Sequence, residues 1–128
     1  MEIEDLDAVA KRVFERCMPA KEEIEKSASP EKAKFLEAFP GLEYSTIGHI
    51  LYETIKIALI AGAADIVINK IRHRKENLEE SKEKVERAAF EVLKKKIPDE
   101  NEAKRIAVEI SIIGTEEIEI YAHAKILT

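Results

Sequence analysis

Residues Ser45 to Lys75 read STIGHILYETIKIALIAGAADIVINKIRHRK, an apolar stretch that ends in a cluster of positive charge. Ser45 or Thr46 is placed to cap a helix running to about Ala61. Its Ile47, Ile50, Leu51, Ile55, Ala58 and Leu59 are spread too widely for a surface helix, so it is expected to be largely covered. Gly62 then suits the left-handed position that ends helices without a Cβ penalty. Beyond it, Ile66-Val67-Ile68 is a β-branched run at home in a buried strand. The alternative is one helix of about thirty residues passing through Gly62, because a short apolar run does not separate strand from helix by pattern alone.

On the N-terminal side, Leu6, Val9, Ala10, Val13, Phe14, Cys17 and Met18 recur at helical spacing and predict an amphipathic helix from about Ile3 to Met18. Pro19 interrupts it or restarts it, carrying Ile24 inward. Ser29-Pro30 is a second start signal, for a short helix holding Ala33, Leu36 and Phe39, and Pro40-Gly41 stops that helix. On the C-terminal side a helix is expected from Glu76, with Leu78, Val85, Ala88, Ala89, Val92 and Leu93 inward. Lys94-Lys95-Lys96 stand at its negative end and Pro98-Asp99 closes it. The period then changes to two. Ile106, Val108, Ile110 and Ile112 alternate with Ala107, Glu109 and Ser111; after Gly114-Thr115-Glu116, Ile118, Ile120, Ala122, Ala124 and Ile126 alternate with Glu119, Tyr121, His123 and Lys125. That pattern predicts a β-hairpin with one apolar face, in a register where Ile112 meets Ile118 and Ile110 meets Ile120. The expected fold class is therefore α+β: a helical arm over residues 1–44, then helix, strand, helix, strand, strand over 45–128. Two helices would pack on a small mixed sheet ending in the hairpin, within one compact domain.

The 128 residues suffice for one core, and 45% apolar with 37% charged residues is the balance of a globular chain. Abundant Ile, Glu and Lys with no Gln lean towards a thermophile. The single cysteine, Cys17, has no internal partner and reads as packing. The acidic first residues do not make a signal peptide. The run Ile57 to Ile68, interrupted by Asp65, falls short of the roughly 18 residues of a membrane span, so a cytoplasmic protein with no membrane contact is expected. The net charge of −5 argues against indiscriminate nucleic-acid binding, but it is unevenly spread. Residues 1–44 carry 7 basic and 11 acidic groups, 45–98 carry 11 and 8, and 99–128 carry 3 and 7. A basic middle lies between acidic ends.

Ala61-Gly62-Ala63-Ala64-Asp65-Ile66-Val67-Ile68, followed by Lys70-Ile71-Arg72-His73-Arg74, is similar to the glycine-terminated helix, apolar strand and basic turn of the Alba family of small archaeal chromatin and RNA-binding proteins. Over residues 45–127 the expected element order resembles that family. The resemblance implies a dimeric α/β fold with nucleic-acid contact from Lys70, Arg72, Arg74 and Lys75. The chain departs from the family where Phe39 to Tyr44 holds no lysine, where Asn69 is inserted, where His73 replaces the usual glycine, and where the tip Gly114 to Glu117 is short and acidic.

Lys70, Arg72, His73, Arg74 and Lys75 are thus the candidate nucleic-acid site, since several such cations on phosphates release counterions. Read blandly, they are a solvated turn paired with Glu76, Glu79 and Glu80. His49 and Glu53, four apart on a helix, have a spacing that supplies two metal ligands, and His123 is a candidate third. No Cys or second spaced His pair completes that site, and the two read as a helical hydrogen-bonded pair with Lys56 one turn on. Tyr121 and His123 offer an acid and a base, but the pattern around them is plain strand alternation. With no phosphate-cradling glycine loop, nucleophile elbow or paired carboxylates, no catalytic residue and no cofactor are assigned. The expected function is a small non-enzymatic DNA- or RNA-binding protein contacting phosphates through the basic loop. The alternative is a structural or scaffold subunit acting through homo- or hetero-oligomerisation, its helical arm and polar hairpin face meeting a partner or a second copy.

Overall fold

The amphipathic stripe of the N-terminal residues does form a helix, α1 (Ile3–Cys17), with Leu6, Val9, Ala10, Val13, Cys17 and the following Met18 buried. It is one of four helices in the computed structural model, which describes residues 3–18, 38–68 and 74–127, with side chains described over 5–18, 38–62 and 79–121. The others are α2 (Tyr44–Ile68), α3 (Arg74–Leu93) and α4 (Glu100–Leu127). The short connections 69–73 and 94–99 make α2, α3 and α4 successive neighbours, and α1 lies against α2 and α4. Among the described residues there is no strand.

The α+β expectation is therefore overturned, and with it the sheet and the fold that the resemblance to the Alba family implied. The first reason lies at Gly62. Instead of ending a helix, it is buried inside α2, which continues through Ile66-Val67-Ile68. A Cβ at this position would collide with a methyl of Val85 and stand 3.0 Å from the carbonyl oxygen of Ser81. The glycine thus lets α2 and α3 approach closely, and the single-helix alternative is the one that forms. The chain's left-handed glycine is Gly41 (φ 78°), in the Pro40-Gly41 turn, where the amide of Leu42 donates to the carbonyl of Phe39.

The second reason lies in α4, where the alternating pattern from Ile106 to Ile126 overlies a helical one. Ala103, Ile106, Ala107, Ile110 and Ile118 are all buried at 3.6-residue spacing. Gly114 sits at the crossing with α2, where its added Cβ would lie 3.1 Å from Leu59 Cδ2, so the supposed hairpin tip is a helix contact. The helix leaves Ile112 and Ile120 exposed, which the hairpin would have buried. It closes every interior backbone hydrogen bond within one segment, whereas a hairpin without the strand at residues 66–68 would lack a third strand to steady it. Three buried hydroxyls are satisfied inside the helices: Thr54 donates to the Ile50 carbonyl (2.7 Å), Ser111 to Val108 (2.6 Å) and Thr115 to Ser111 (2.7 Å), while the buried hydroxyl of Ser81 has no hydrogen-bond partner among the described residues.

The remaining boundaries follow from caps. Lys94 to Ile97 wind off the end of α3 through amides bonded back to Phe90, Val92 and Leu93. Asp99 then opens α4, its Oδ1 accepting from the amides of Asn101 (2.9 Å) and Glu102 (3.4 Å), with Glu100 and Glu102 in the first turn. Val85, Ala89 and Leu93 of α3 complete a core shared with Leu51, Ile55, Ala58 and Leu59 of α2 and with α4. Of the short helix expected to hold Ala33, Leu36 and Phe39, the part up to residue 37 lies outside the described residues; Ala38 and Phe39 are buried, in a turn and not a helix.

Candidate functional site

The exposed residues of α2 at 46, 49, 53, 57 and 60 form one stripe at helical spacing, and its character changes along its length. The first half presents Thr46, His49 and Glu53. The second presents Ile57, 46% exposed, Ile60, 60% exposed, and Ala61. From Ile57 to Ala64 the sequence IALIAGAA holds no charged or hydrogen-bonding side chain. The other sides of α2 are taken: α3 meets it at Gly62, α4 at Leu59, and α1 at Gly48, whose added Cβ would lie 3.6 Å from Phe14. A helix apolar around its whole circumference is characteristic of a covered one, so here three sides are covered and the fourth is open. Leu42, Ile112 and Ile120 are exposed as well. Ile112 and Ile120, however, are two turns apart with Glu116 between them, and that carboxylate is held by Arg16.

The hold on α1 is polar at its margins and apolar between them. Arg16 donates from Nη2 to Glu116 Oε2 (2.8 Å) and from Nη1 to Glu117 Oε1 (3.0 Å), tying α1 to α4. The hydrogen bond to Glu116, then that to Glu117, holds the Arg16 guanidinium above its ordinary value. Near the other end of α1, Lys56 Nζ lies 3.4 Å from Asp7 Oδ1 and 5.6 Å from the Tyr52 ring centroid. Phe14 packs edge-on against Tyr52, centroids 5.8 Å apart. At the C-terminal end of α1 Cys17 is buried, and burial, with the charge of Glu109 adding to it, pushes its thiol up to about 12. This thiol is inert packing, as expected.

Of the sequence-predicted basic site, Lys70, Arg72 and His73 lie outside the described residues. Arg74 and Lys75 open α3, with side chains outside the described set. Further along α3, Lys82 is half-buried while Lys84 and Arg87 are exposed among Glu79, Glu80 and Glu83. His49 and Glu53 are both exposed, and the side chain of His123 lies outside the described residues. No group of three metal-ligating side chains comes together among the described residues. Ser111 and Tyr121, once on a supposed open sheet face, are buried and half-buried on α4, and Tyr121 packs against the core.

An open groove of about 710 Å³ runs between α3 and α4, with Glu83, Glu86 and Arg87 on one wall, Glu100, Asn101 and Lys104 on the other, and Phe90 between them. Its described lining holds no hydroxyl, thiol or imidazole. The exposed Ile57 and Ile60 escaped the sequence reading because inward positions were chosen first. The surplus of apolar residues on α2 was the available signal. The Arg16 bridge joins residues 100 and 101 apart and has no local signature. No helix of the described residues is long and apolar enough to cross a membrane. No family model, curated protein or solved structure matches this chain.

Proposed function

We propose that the protein is a structural subunit that works by docking protein against the outer face of α2. The observation that carries this reading is the charge-free patch of Ile57, Ile60 and Ala61 on a helix whose other three sides are packed. Exposed apolar residues are ordinary when scattered, but a contiguous patch rimmed by polar groups marks an interaction surface. Thr46, His49 and Glu53 on one side and the Lys56–Asp7 pair on the other supply such a rim. The test is site-specific photo-crosslinking in the host cell, with a photoreactive residue at position 60 and, as control, at Glu91 on the charged face of α3. Position 60 should give a discrete protein adduct and position 91 none. Absence of an adduct at 60 refutes the reading.

A second reading keeps the basic run as a phosphate contact. It is supported by the start of α3 at Arg74, which puts Arg74 and Lys75, the end of the basic run, in the first turn of a helix whose terminal amides add to the positive field. Binding of duplex DNA and structured RNA at low salt should then fall at least tenfold in an Arg72→Ala, Arg74→Ala double variant. Equal binding, or none in either protein, overturns it.

A further inference from the structure

We infer that α1 is a strap that opens as a unit, leaving the groove between α2 and α4 while α2, α3 and α4 stay folded as a three-helix core. The inference goes beyond the assembly reading and does not depend on what docks at the outer face of α2.

Three observations carry it. First, connection: α2, α3 and α4 are tied in series by the short links 69–73 and 94–99, whereas residues 18–43 separate α1 from α2. Second, the division of the core: α3 meets α2 and α4 more extensively than α1 does, and its Val85, Ala89 and Leu93 pack with them whether or not α1 is docked. Segments joined to the rest by fewer buried contacts open at lower free energy than the whole chain. Third, the clamps: Asp7 is held by Lys56 of α2, and Arg16 by Glu116 and Glu117 of α4, at the two margins of the apolar stripe. With α1 docked, the Glu117 side chain is 10% exposed and relies on the guanidinium; with α1 away, water takes over, so opening strands no buried ion. A helix of 15 residues is marginal by itself in water, so α1 undocks and unwinds together. The closed strap covers Gly48 and Tyr52, where Phe14 sits, and opening bares that part of the groove.

The chain's single cysteine reports the opening, because Cys17 is buried on α1 and reacts only when exposed. The experiment follows methanethiosulfonate labelling of Cys17 in the full chain against urea, beside global unfolding measured by circular dichroism. In wild type at low urea, labelling should be faster than the population of unfolded chain allows and nearly independent of urea, joining global unfolding only near its midpoint. Arg16→Ala should speed low-urea labelling by about five- to thirtyfold. The Arg16 charge favours the thiolate, so its loss alone would slow the reaction. Asp7→Asn, at the far end of α1 from the thiol, should speed it by about threefold, because its clamp belongs to the same unit. Val85→Ala in α3 should lower the global midpoint and leave low-urea labelling unchanged. Labelling that follows global unfolding at every urea concentration overturns the inference, as does acceleration by Val85→Ala in proportion to its loss of global stability. An Asp7→Asn protein labelled at the wild-type rate overturns it too, since only the turn around Cys17 would then open. Should Arg16→Ala fail to fold, the wild-type urea series and Asp7→Asn decide.

Discussion

Replacing Gly62 by alanine separates a helix that passes through this residue from one that ends at it. In an open helix interior the change would stabilise, since glycine costs about 1 kcal/mol relative to alanine. Here the new Cβ meets the Val85 methyl and the Ser81 carbonyl oxygen, 3.0 Å away, where α2 and α3 cross. Overpacking of that kind costs about 1–3 kcal/mol. The net expectation is destabilisation by about 1 kcal/mol, or about 4 °C in Tm for a domain of this size. Val85 is fully buried, and Val85→Ala alone costs about 1.5–3 kcal/mol. Because that change also removes the obstructing methyl, the two substitutions together should cost about 1 kcal/mol less than their sum. Denaturant unfolding followed by circular dichroism on wild type, both single variants and the double variant closes the cycle. A glycine in a left-handed stop would also resist alanine, but with no coupling to Val85. Additive effects, or a Gly62→Ala protein more stable than wild type, would refute the close crossing of α2 and α3.

Other perturbations bear on α1 and on the caps. Arg16→Ala leaves the largely buried Glu117 without its guanidinium, and the exposure of Arg16 itself, 43%, keeps the loss to about 1–2 kcal/mol; adding Glu117→Gln should recover part of it in the same unfolding assay. Because burial raises the Cys17 thiol from 9.0 to about 12, the unfolded chain releases its proton first as pH rises. The stabilisation from the buried neutral thiol is complete below pH 9.0 and is lost as pH climbs towards 12, at about 1.4 kcal/mol per pH unit. Comparing Cys17→Ala with wild type between pH 8 and 10.5 should show the steeper decline only in wild type, and parallel curves would contradict it. Asp99→Ala removes the acceptor for two amides at the start of α4 and should lower stability by about 1 kcal/mol; an unchanged midpoint would mean that the cap is idle.

Where one period ruled a segment, the fold was legible in the sequence. The stripe from Leu6 to Met18 located α1 to within a residue, and Val85, Ala89 and Leu93 were placed inward on α3 where they are buried. Legibility failed where isoleucine was so abundant that two periods fitted at once. In α4 the even-numbered residues from Ile106 to Ile112 and from Ile118 to Ile126 are apolar, but so are Ala103 and Ala107, small residues at helical spacing that decide how closely helices can approach. By sequence Gly62 suits a left-handed helix stop and Gly114 a hairpin turn, whereas both are close-approach residues facing Val85 and Leu59. That distinction depends on what lies opposite, which is tertiary information. The same holds for the candidate site. That Ile57 and Ile60 are open while Leu51, Ile55 and Leu59 are covered follows from which sides of α2 the other three helices occupy.

Backbone chemical shifts across Ala63–Ile68 and Ile106–Ile126 test the four-helix architecture most directly. Both segments should show uninterrupted helical Cα and Cβ shifts, with sequential amide–amide contacts running through Gly114 and Thr115 and no cross-strand contact between Ile110 and Ile120. Extended shifts on either side of a turn at Gly114 to Glu117, or at Ile66 to Ile68, would contradict the bundle and take away the helix face on which the proposed contact is built.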